Sequence, residues 1–305
     1  MLFRSPITTQ LNGIPQQYLA TGWARNQNVI NTLSSTVANP FAGLLPNSTS
    51  LNGSTVGLSQ LLLPYPQFAN GGVTEQYNNA GSSYYESLNV GLRKRIAHGI
   101  TVTSSFAWSS LISRQIYLNA FDTAPEKTAA VDSRPIRFVT AATVQLPIGK
   151  GRLLNIKSGW ANALAGGWVV NGIYTWQSGA LLNWGNVIYT GGPLNFNPRQ
   201  VNGAAFDTTQ FNTVSAQQLS NNVRTFQTYF NNLRADPINV MDASLLKEFH
   251  ISERRYFQVR FETFNTLNRP GFGAPTLTPT SSSFGLITST VLNPRNVQVG
   301  GRLVW

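Results

Sequence analysis

Hydrophobic and polar residues alternate with a period of two along much of the chain from residue 84 onward. Apolar Leu88 and Leu92 share one face of the first stretch, with polar residues on the other. After a short turn, Val102 and Phe106 continue the alternation. Because successive side chains of a β-strand point to opposite faces, the pattern predicts a hairpin of half-apolar strands.

Five further stretches alternate in the same way, so about seven long strands are predicted. Each predicted strand has roughly ten residues. This length fits membrane-spanning strands, which need about 9–11 residues, better than strands of soluble proteins, which average about 5–6. The fourth stretch is read as one strand over 167–187 that includes Leu182 and Trp184. The apolar sets are Phe138, Val144 and Leu146; Trp168, Val170, Tyr174 and Trp176; Met241, Ala243, Leu245 and Phe249; Phe257, Val259 and Phe261; and Val297, Val299, Leu303 and Trp305.

The predicted connections alternate in length. Short turns follow the first and fifth strands, whereas long loops follow the second, fourth and sixth. Outer-membrane barrels combine short periplasmic turns with long extracellular loops. By this rule Trp305 lies on the periplasmic side. Only the connection over 148–166 is longer than a periplasmic turn should be.

The composition agrees with a wall between lipid and water. Charged residues make up only 11% of the chain, against about 25% in average soluble domains. Aromatic residues, which form girdles at membrane interfaces, also reach 11%. No run of about 18 apolar residues predicts a membrane-spanning helix, and cysteine is absent. We therefore predict an all-β fold: part of an antiparallel transmembrane β-barrel with long extracellular loops.

Two observations indicate that this wall is the C-terminal portion of a larger barrel. Residues 1–83 lack sustained alternation and are read as a loop-rich, mainly extracellular segment, which leaves the barrel strands to 84–305. Seven strands is an odd number, whereas single-chain bacterial barrels have an even number, so strands upstream are expected to be missing. The start of the chain also lacks the apolar region of a signal peptide, which an exported barrel needs.

The net charge of +11 does not indicate a nucleic-acid partner, because the basic residues are scattered rather than gathered into a stripe. The two densest groups, Arg93-Lys94-Arg95 and Arg254-Arg255, lie at predicted strand ends beside turns. There they either meet anionic lipid head groups or are simply solvated.

No arrangement of residues predicts an enzyme, a metal site or a bound cofactor. The two histidines, His98 and His250, each lie at a predicted turn, far apart along the chain. Three loop carboxylates, at Asp122, Glu126 and Asp132, offer oxygen ligands for Ca²⁺, but their spacing matches no known calcium loop. Gly149-Lys150-Gly151 lacks the rest of a phosphate-binding loop. No catalytic, cofactor-binding or metal-binding residue is therefore assigned, and ligand-binding residues remain unknown.

Polar residues on the strands are expected to face the barrel interior. They can pair with one another, hold a plug or line a solute path, with mutual pairing the simpler role. The charged members of this inward set are Arg93, Arg95, Arg137, Asp242, Arg260, Glu262 and Arg302.

Several stretches resemble known outer-membrane proteins. The final segment 297–305 is similar to the C-terminal strand that the barrel-assembly machinery reads. The whole chain resembles the C-terminal part of Oar-like TonB-dependent receptors, which are abundant in acidobacteria. The stretches that carry this resemblance are Asn39-Pro40-Phe41-Ala42-Gly43, residues 61–68, Leu92-Arg93-Lys94-Arg95, Gly166-Gly167-Trp168, and residues 264–272.

The resemblance implies a plugged 22-stranded barrel in the outer membrane of a Gram-negative bacterium, which imports a large solute with energy from the TonB complex. The chain matches only about the last third of such a barrel and lacks the plug and TonB box, so it is expected to be inactive alone. Expected partners are outer-membrane lipid and the assembly machinery, with TonB reached only through the missing parts. Two alternatives remain: a structural or adhesive surface barrel, and a secreted soluble glycan-binding module.

Overall fold

A computed structural model of the chain describes residues 2–45, 47–48, 51–96, 99–252 and 254–305. Nine strands form one antiparallel sheet, and two short strands form a second. The strands are β1 Leu2–Gln10, β2 Thr36–Ala38, β3 Thr55–Gly57, β4 Thr74–Ile96, β5 Ile100–Arg114, β6 Lys127–Ala129, β7 Ile136–Gln145, β8 Trp168–Gln177, β9 Ile238–His250, β10 Tyr256–Phe264 and β11 Asn296–Val304. The α-helices are α1 Gln27–Ser34, α2 Leu58–Leu61 and α3 Gly159–Ala165.

The large sheet, here called the wall, follows chain order: β1-β4-β5-β7-β8-β9-β10-β11, with β6 beside β5. Its register aligns the apolar face of every long strand from β4 to β11. On one row, Phe106 of β5 pairs with Phe138 of β7, which pairs with Trp176 of β8. On another, Phe261 of β10 lies between Leu245 and Val299. A slip of one residue would move a strand's apolar set to the other face, so the register builds one continuous apolar surface.

This apolar face is not covered by the described protein. Leu88 and Val299 expose 53% and 72% of their surface, and Val102 and Val259 are only half-buried. The buried hydrophobic residues lie almost entirely in the connections, not on the wall. Burial of apolar surface contributes about 25 cal/mol per Å², and the wall does not obtain it from its own chain. These side chains are therefore not gathered into a shared core within the described residues, as the sequence predicts.

Tryptophan residues mark two edges of the apolar face. Trp168 and Trp176 point to the same side of β8, eight residues apart along the strand. At about 3.3 Å per residue they are separated by about 26 Å, close to the roughly 25 Å apolar band of outer-membrane barrels. Between these edges, the hydroxyls of Ser104 and Thr140 hydrogen-bond to each other at 2.7 Å. This pairing satisfies the two polar groups on a surface that offers them no water.

The wall has a loop end and a turn end. The long connections 11–73, 115–135, 178–237 and 265–295 all emerge at the loop end. The connections 97–99, 146–167 and 251–255 emerge at the turn end, with the C-terminus. In the first of these, Gly99 has a φ of +81°, and an added Cβ would lie 2.6 Å from Gln145. The predicted alternation of short and long connections is confirmed. The connection 146–167, which is longer than the other two at the turn end, contains helix α3.

Within the residues that the structure describes, the wall contains eight long strands, not seven. The additional strand is β1, which pairs with residues 74–84 of β4 inside the segment read as loop. Its pairing with β4 is interrupted by register shifts around Ile7, and its sequence contains Pro6, which is tolerated on edge strands. These irregularities hide the period of two. The odd strand count predicted above is therefore wrong.

Two strand boundaries also differ from the predicted ones. Strand β4 begins at Thr74, ten residues before the alternation becomes visible, because its first residues are polar on both faces. Strand β8 ends at Gln177, so the predicted continuation to residue 187 is wrong. Leu182 and Trp184, assigned to that continuation, are each only 1% exposed and lie in the core of the loops. Their spacing of two reflects packing in a loop rather than a strand.

Buried asparagines hold the long N-terminal connection together. Asn12 is fully buried; its amide donates hydrogen bonds to the carbonyls of Tyr65, Phe68 and Ala69, and its oxygen accepts one from the Tyr65 N–H. Asn39, just after β2, donates at 2.7 Å to the carbonyls of Leu51 and Gly53, which lie just before β3. A side-chain amide can satisfy several backbone groups at once, which keeps an irregular segment compact.

Asn265 has the same role where the last loop begins and ends. It adopts a φ of +49°, is 6% exposed, and donates to the carbonyls of Arg269 and Asn293 at 3.0 and 2.9 Å. Its side-chain oxygen accepts a third bond from the Arg269 N–H. Asn265, which belongs to the quoted stretch 264–272, thus closes the loop onto β10 and β11.

We expect Asn265→Ala to lower the free energy of unfolding by about 3 kcal/mol, from three lost hydrogen bonds and a left-handed backbone that alanine disfavours. Urea unfolding in detergent micelles measures this loss. Asn265→Gly, which relieves only the backbone penalty, should lie between wild type and alanine. Equal stability of the alanine variant and the wild type would show that the loop closes without this side chain.

Candidate functional site

The wall face opposite the apolar surface carries a ladder of polar side chains. Across three neighbouring strands, Thr143 donates to Asn171 at 2.9 Å, and Asn171 donates to Ser244 at 3.2 Å. Two strands further on, Gln298 donates to Glu262 at 2.5 Å. Such cross-strand hydrogen bonds satisfy the polar groups laterally and stiffen the wall.

The predicted inward charges are only partly brought together. Arg260 and Glu262 form an ion pair at 3.3 Å, and the Asp242 carboxylate accepts a hydrogen bond from the Asn265 N–H at 2.8 Å. The arginine of the ion pair is about half exposed, so solvent weakens the attraction. For the other four members, no side-chain hydrogen bond or ion pair occurs within the described ranges, and all are exposed: Arg93, Arg95, Arg137 and Arg302.

At the loop end, the long connections fold into a cap with its own aromatic core. Trp184 stacks on Phe211 with ring centroids 5.4 Å apart and planes 4° from parallel. Phe206 and Phe226 meet the same indole edge-on. Edge-to-face and stacked ring pairs contribute about 0.5–1.5 kcal/mol each beyond the area they bury. The buried cluster consists of Leu182, Trp184, Val187, Ala205, Phe206, Phe211, Phe226, Leu233 and Phe284.

A buried ion pair joins three parts of this cap. The Asp236 side chain is fully buried, and Arg199 binds both of its oxygens, at 2.8 and 3.0 Å. The same carboxylate accepts a hydrogen bond from the Phe272 N–H at 3.1 Å, and the guanidinium lies 5.1 Å from the Phe272 ring. Next to Asp236, an added Cβ on Gly179 would lie 1.8 Å from the Ala235 carbonyl oxygen, so only glycine permits this approach.

Two half-buried arginines bind the 115–135 loop to the 178–237 loop. The Arg224 N–H donates to Asn119 at 2.8 Å, and its guanidinium donates to the Trp184 carbonyl at 2.6 Å. Arg234 donates to the Ser133 carbonyl at 2.7 Å. Burial lowers the pKa of Arg224 against the opposing attraction of Glu126. Burial also lowers the pKa of Arg234, and the nearby charge of Arg134 lowers it further.

Two neighbouring cavities of the cap share part of their lining. One, of about 400 Å³, has aromatic walls with amide side chains between them. The other, of about 390 Å³, lies where the cap meets β5 and β6, and it shares Gln227 and Phe230 with the first. Apolar walls with a few placed polar groups are typical of small-molecule sites. The side chains that set the chemistry of the first are Trp23, Tyr189, Phe226, Gln227, Phe230 and Asn232.

The geometry can be compared with known proteins. The family model described as "Outer membrane beta barrel domain" matches residues 3–298, nearly the whole chain. The chain belongs to this family. No curated protein and no solved structure matches the chain.

Membership places this outer membrane β-barrel domain in the outer membrane of a Gram-negative bacterium, as the alternation of its strands predicts. The uncovered apolar wall then faces lipid, which disagrees with a secreted soluble module whose apolar faces would share a core. The family is typically non-enzymatic. No α-helix in the described part of the chain is both long and apolar enough to cross a membrane.

Two of the loop carboxylates of this β-barrel domain contact backbone N–H groups within the cap. The Asp122 carboxylate accepts a hydrogen bond from the Asn119 N–H at 2.7 Å, and Glu126 lies against the Thr228 N–H at 3.5 Å. Among residues that the structure describes, no three His, Asp or Glu side chains are grouped to hold a metal ion. Of the two histidines, His98 lies outside the described residues, and His250 is 3.7 Å from Glu248.

The cap residues were not found by sequence reasoning. Arg199 and Asp236 are separated by 37 residues, and no local spacing connects them. The one available signal was the pair Leu182 and Trp184, whose apolar character was assigned to a strand instead.

Proposed function

We propose that the chain forms the C-terminal part of the barrel of an Oar-like TonB-dependent receptor, which takes up a large solute. The loop-rich part of residues 1–83 and the cap are then extracellular, and the turn end is periplasmic. The strands of 84–305 supply wall, while energy coupling resides in a plug and TonB box outside this sequence, so the chain alone transports nothing. The stretches quoted from residue 39 onward support this reading, since they resemble that receptor type in order along the chain.

The open edges of the sheet carry the proposal. Strand β1 pairs only with residues 74–84 of β4, so the part of β4 from Leu88 to Ile96 has β5 as its one strand partner among the described residues. At the other edge, β11 pairs with β10 alone within that part of the chain. Unpaired backbone groups are too costly in hydrocarbon for an open sheet edge to face lipid. These open edges support a larger barrel, in which further strands pair with them.

The competing function is a small structural or adhesive barrel. Its supporting observation is that eight long strands, an even number, form the wall, so that closure would bring β11 against β1 and against the part of β4 that β1 leaves unpaired. The cap would then bind a partner at the cell surface. The two functions differ in one measurable contact, the one between β4 and β11.

Cross-linking distinguishes them, since the chain has no cysteine of its own. We expect no intramolecular bismaleimide cross-link between Leu92→Cys on β4 and Val299→Cys on β11 in outer membranes that carry the full chain. The matched control is Phe261→Cys with Val299→Cys, directly opposite partners that should cross-link readily. A monomer cross-linked through the first pair would contradict the larger barrel.

The transporter class has a separate test in the DNA upstream of Met1. An in-frame coding region for a plug and a signal peptide is the expected result. A stop codon followed by a separate promoter for this chain would contradict the receptor assignment.

A further inference from the structure

The connection 146–167, here called the turn-end segment, lies on the lipid side of the wall. Two residues of the apolar face bind its backbone. The Trp168 indole N–H donates to the Leu164 carbonyl at 3.1 Å, and the Lys247 ammonium donates to the Gly166 carbonyl. Because both side chains point away from the polar face, the C-terminal end of α3 must rest against the outer surface of the wall.

Lys247 explains why the segment lies there. It is on the apolar face of β9, paired with Trp168 and Val259, yet only 2% of its surface is exposed. Its ammonium lies 5.4 Å from the Trp168 ring and 4.9 Å from the Phe249 ring. A bare ammonium facing hydrocarbon is costly, so the segment and these rings shield it from lipid.

The segment is ordered, yet it displays apolar side chains. The Asn162 side chain accepts a hydrogen bond from the Lys150 N–H at 2.7 Å, and the Asn155 side chain accepts one from the Gly151 N–H at 3.1 Å. On α3, Trp160 and Leu164 are four residues apart and therefore share a side of the helix. The exposed fractions are 81% for Leu153, 59% for Leu154, 78% for Trp160 and 64% for Leu164.

The charge of the segment is all of one sign. Lys150, Arg152 and Lys157 are exposed, and residues 146–167 contain no Asp or Glu. Exposed Trp and Leu beside several cations are the pattern of protein segments that lie in a membrane interface and attract anionic lipids. The segment also continues the lipid-facing surface, since it leads directly into Trp168 of β8, whose indole binds the Leu164 carbonyl.

We propose that the turn-end segment is an interfacial anchor, which inserts Trp160 and Leu164 among the acyl chains and binds anionic phospholipid headgroups of the periplasmic leaflet through Lys150, Arg152 and Lys157. The anchor fixes the depth and tilt of this side of the wall. It rests on the periplasmic orientation of the turn end in the function proposed above, but it does not depend on solute uptake.

A nitroxide attached to Leu164→Cys tests the anchor in the full chain. The chain is reconstituted in phosphatidylcholine vesicles with or without phosphatidylglycerol, and the collision rates of the label with oxygen and with a water-soluble nickel chelate are compared. We expect oxygen to dominate in the anionic vesicles. Reference labels are Val299→Cys, which should meet oxygen in the wall, and Ser215→Cys, which should meet nickel on the cap.

The triple variant Lys150→Gln, Arg152→Gln and Lys157→Gln isolates the headgroup contact. Each lost charge weakens attraction to the anionic surface about fivefold, so the ratio of inserted to free segment should fall about a hundredfold. For the segment with its three charges intact, omission of phosphatidylglycerol should lower this ratio to a similar extent. A label that meets nickel in anionic vesicles, or that inserts equally with and without the charges, overturns the proposal.

Discussion

Val299→Arg is expected to destabilise the bilayer-inserted fold by about 2–4 kcal/mol, the cost of a cation on the lipid face of a membrane barrel. Val299 lies near the middle of β11, in the apolar row with Phe261, and is 72% exposed to its surroundings. In a water-soluble protein, a substitution at so exposed a site changes stability by no more than about 0.5 kcal/mol. The size of the loss therefore reports which solvent the wall faces.

The matched control is the adjacent Gln298→Arg. This residue points to the opposite, polar face, where Glu262 can pair with the new guanidinium as it pairs with the amide. We expect a change of less than about 1 kcal/mol. Both variants can be compared by urea titration of folding into lipid vesicles, and equal losses would show that the two faces do not differ in their solvent.

Trp184→Ala is expected to destabilise the cap by about 3–5 kcal/mol, the usual cost of truncating a buried aromatic residue to alanine. Trp184 is 1% exposed and contacts the rings of Phe206, Phe211 and Phe226. Limited proteolysis should cut the variant within 178–237 at protease levels that leave the wild type intact.

Three observations test the cause of that loss. Trp23→Ala, at a residue 57% exposed, should leave the cap protected. Trp184→Phe should retain most of the stability, because the indole N–H has no acceptor among the described residues and only ring area is lost. The wall of Trp184→Ala should still insert into vesicles, and a failure to insert would show that cap and wall fold as one unit.

The wall could be predicted from sequence because two solvents select its residues in strict alternation. Leu88, Val102 and Val299 face lipid, while residues one position away face the polar side, and this signal needs no information from elsewhere in the chain. The signal fails where both faces are polar, as in the first residues of β4. It also fails in β1, where Pro6 and register shifts break the period.

The cap could not be predicted by the same reasoning. Its core joins Trp184 to Phe211, Phe226 and Phe284, residues that no period connects, and its position depends on long-range contacts such as Arg199 with Asp236. The contact of Gln298 with Glu262 on the neighbouring strand likewise depends on which residues lie opposite each other across the sheet. Sequence alternation identifies a face, while partners on that face are set by register.

None of the nine side chains in the buried cluster of the cap comes from a strand of the wall. The core of the cap can therefore change in sequence without a compensating change in the strands that meet lipid.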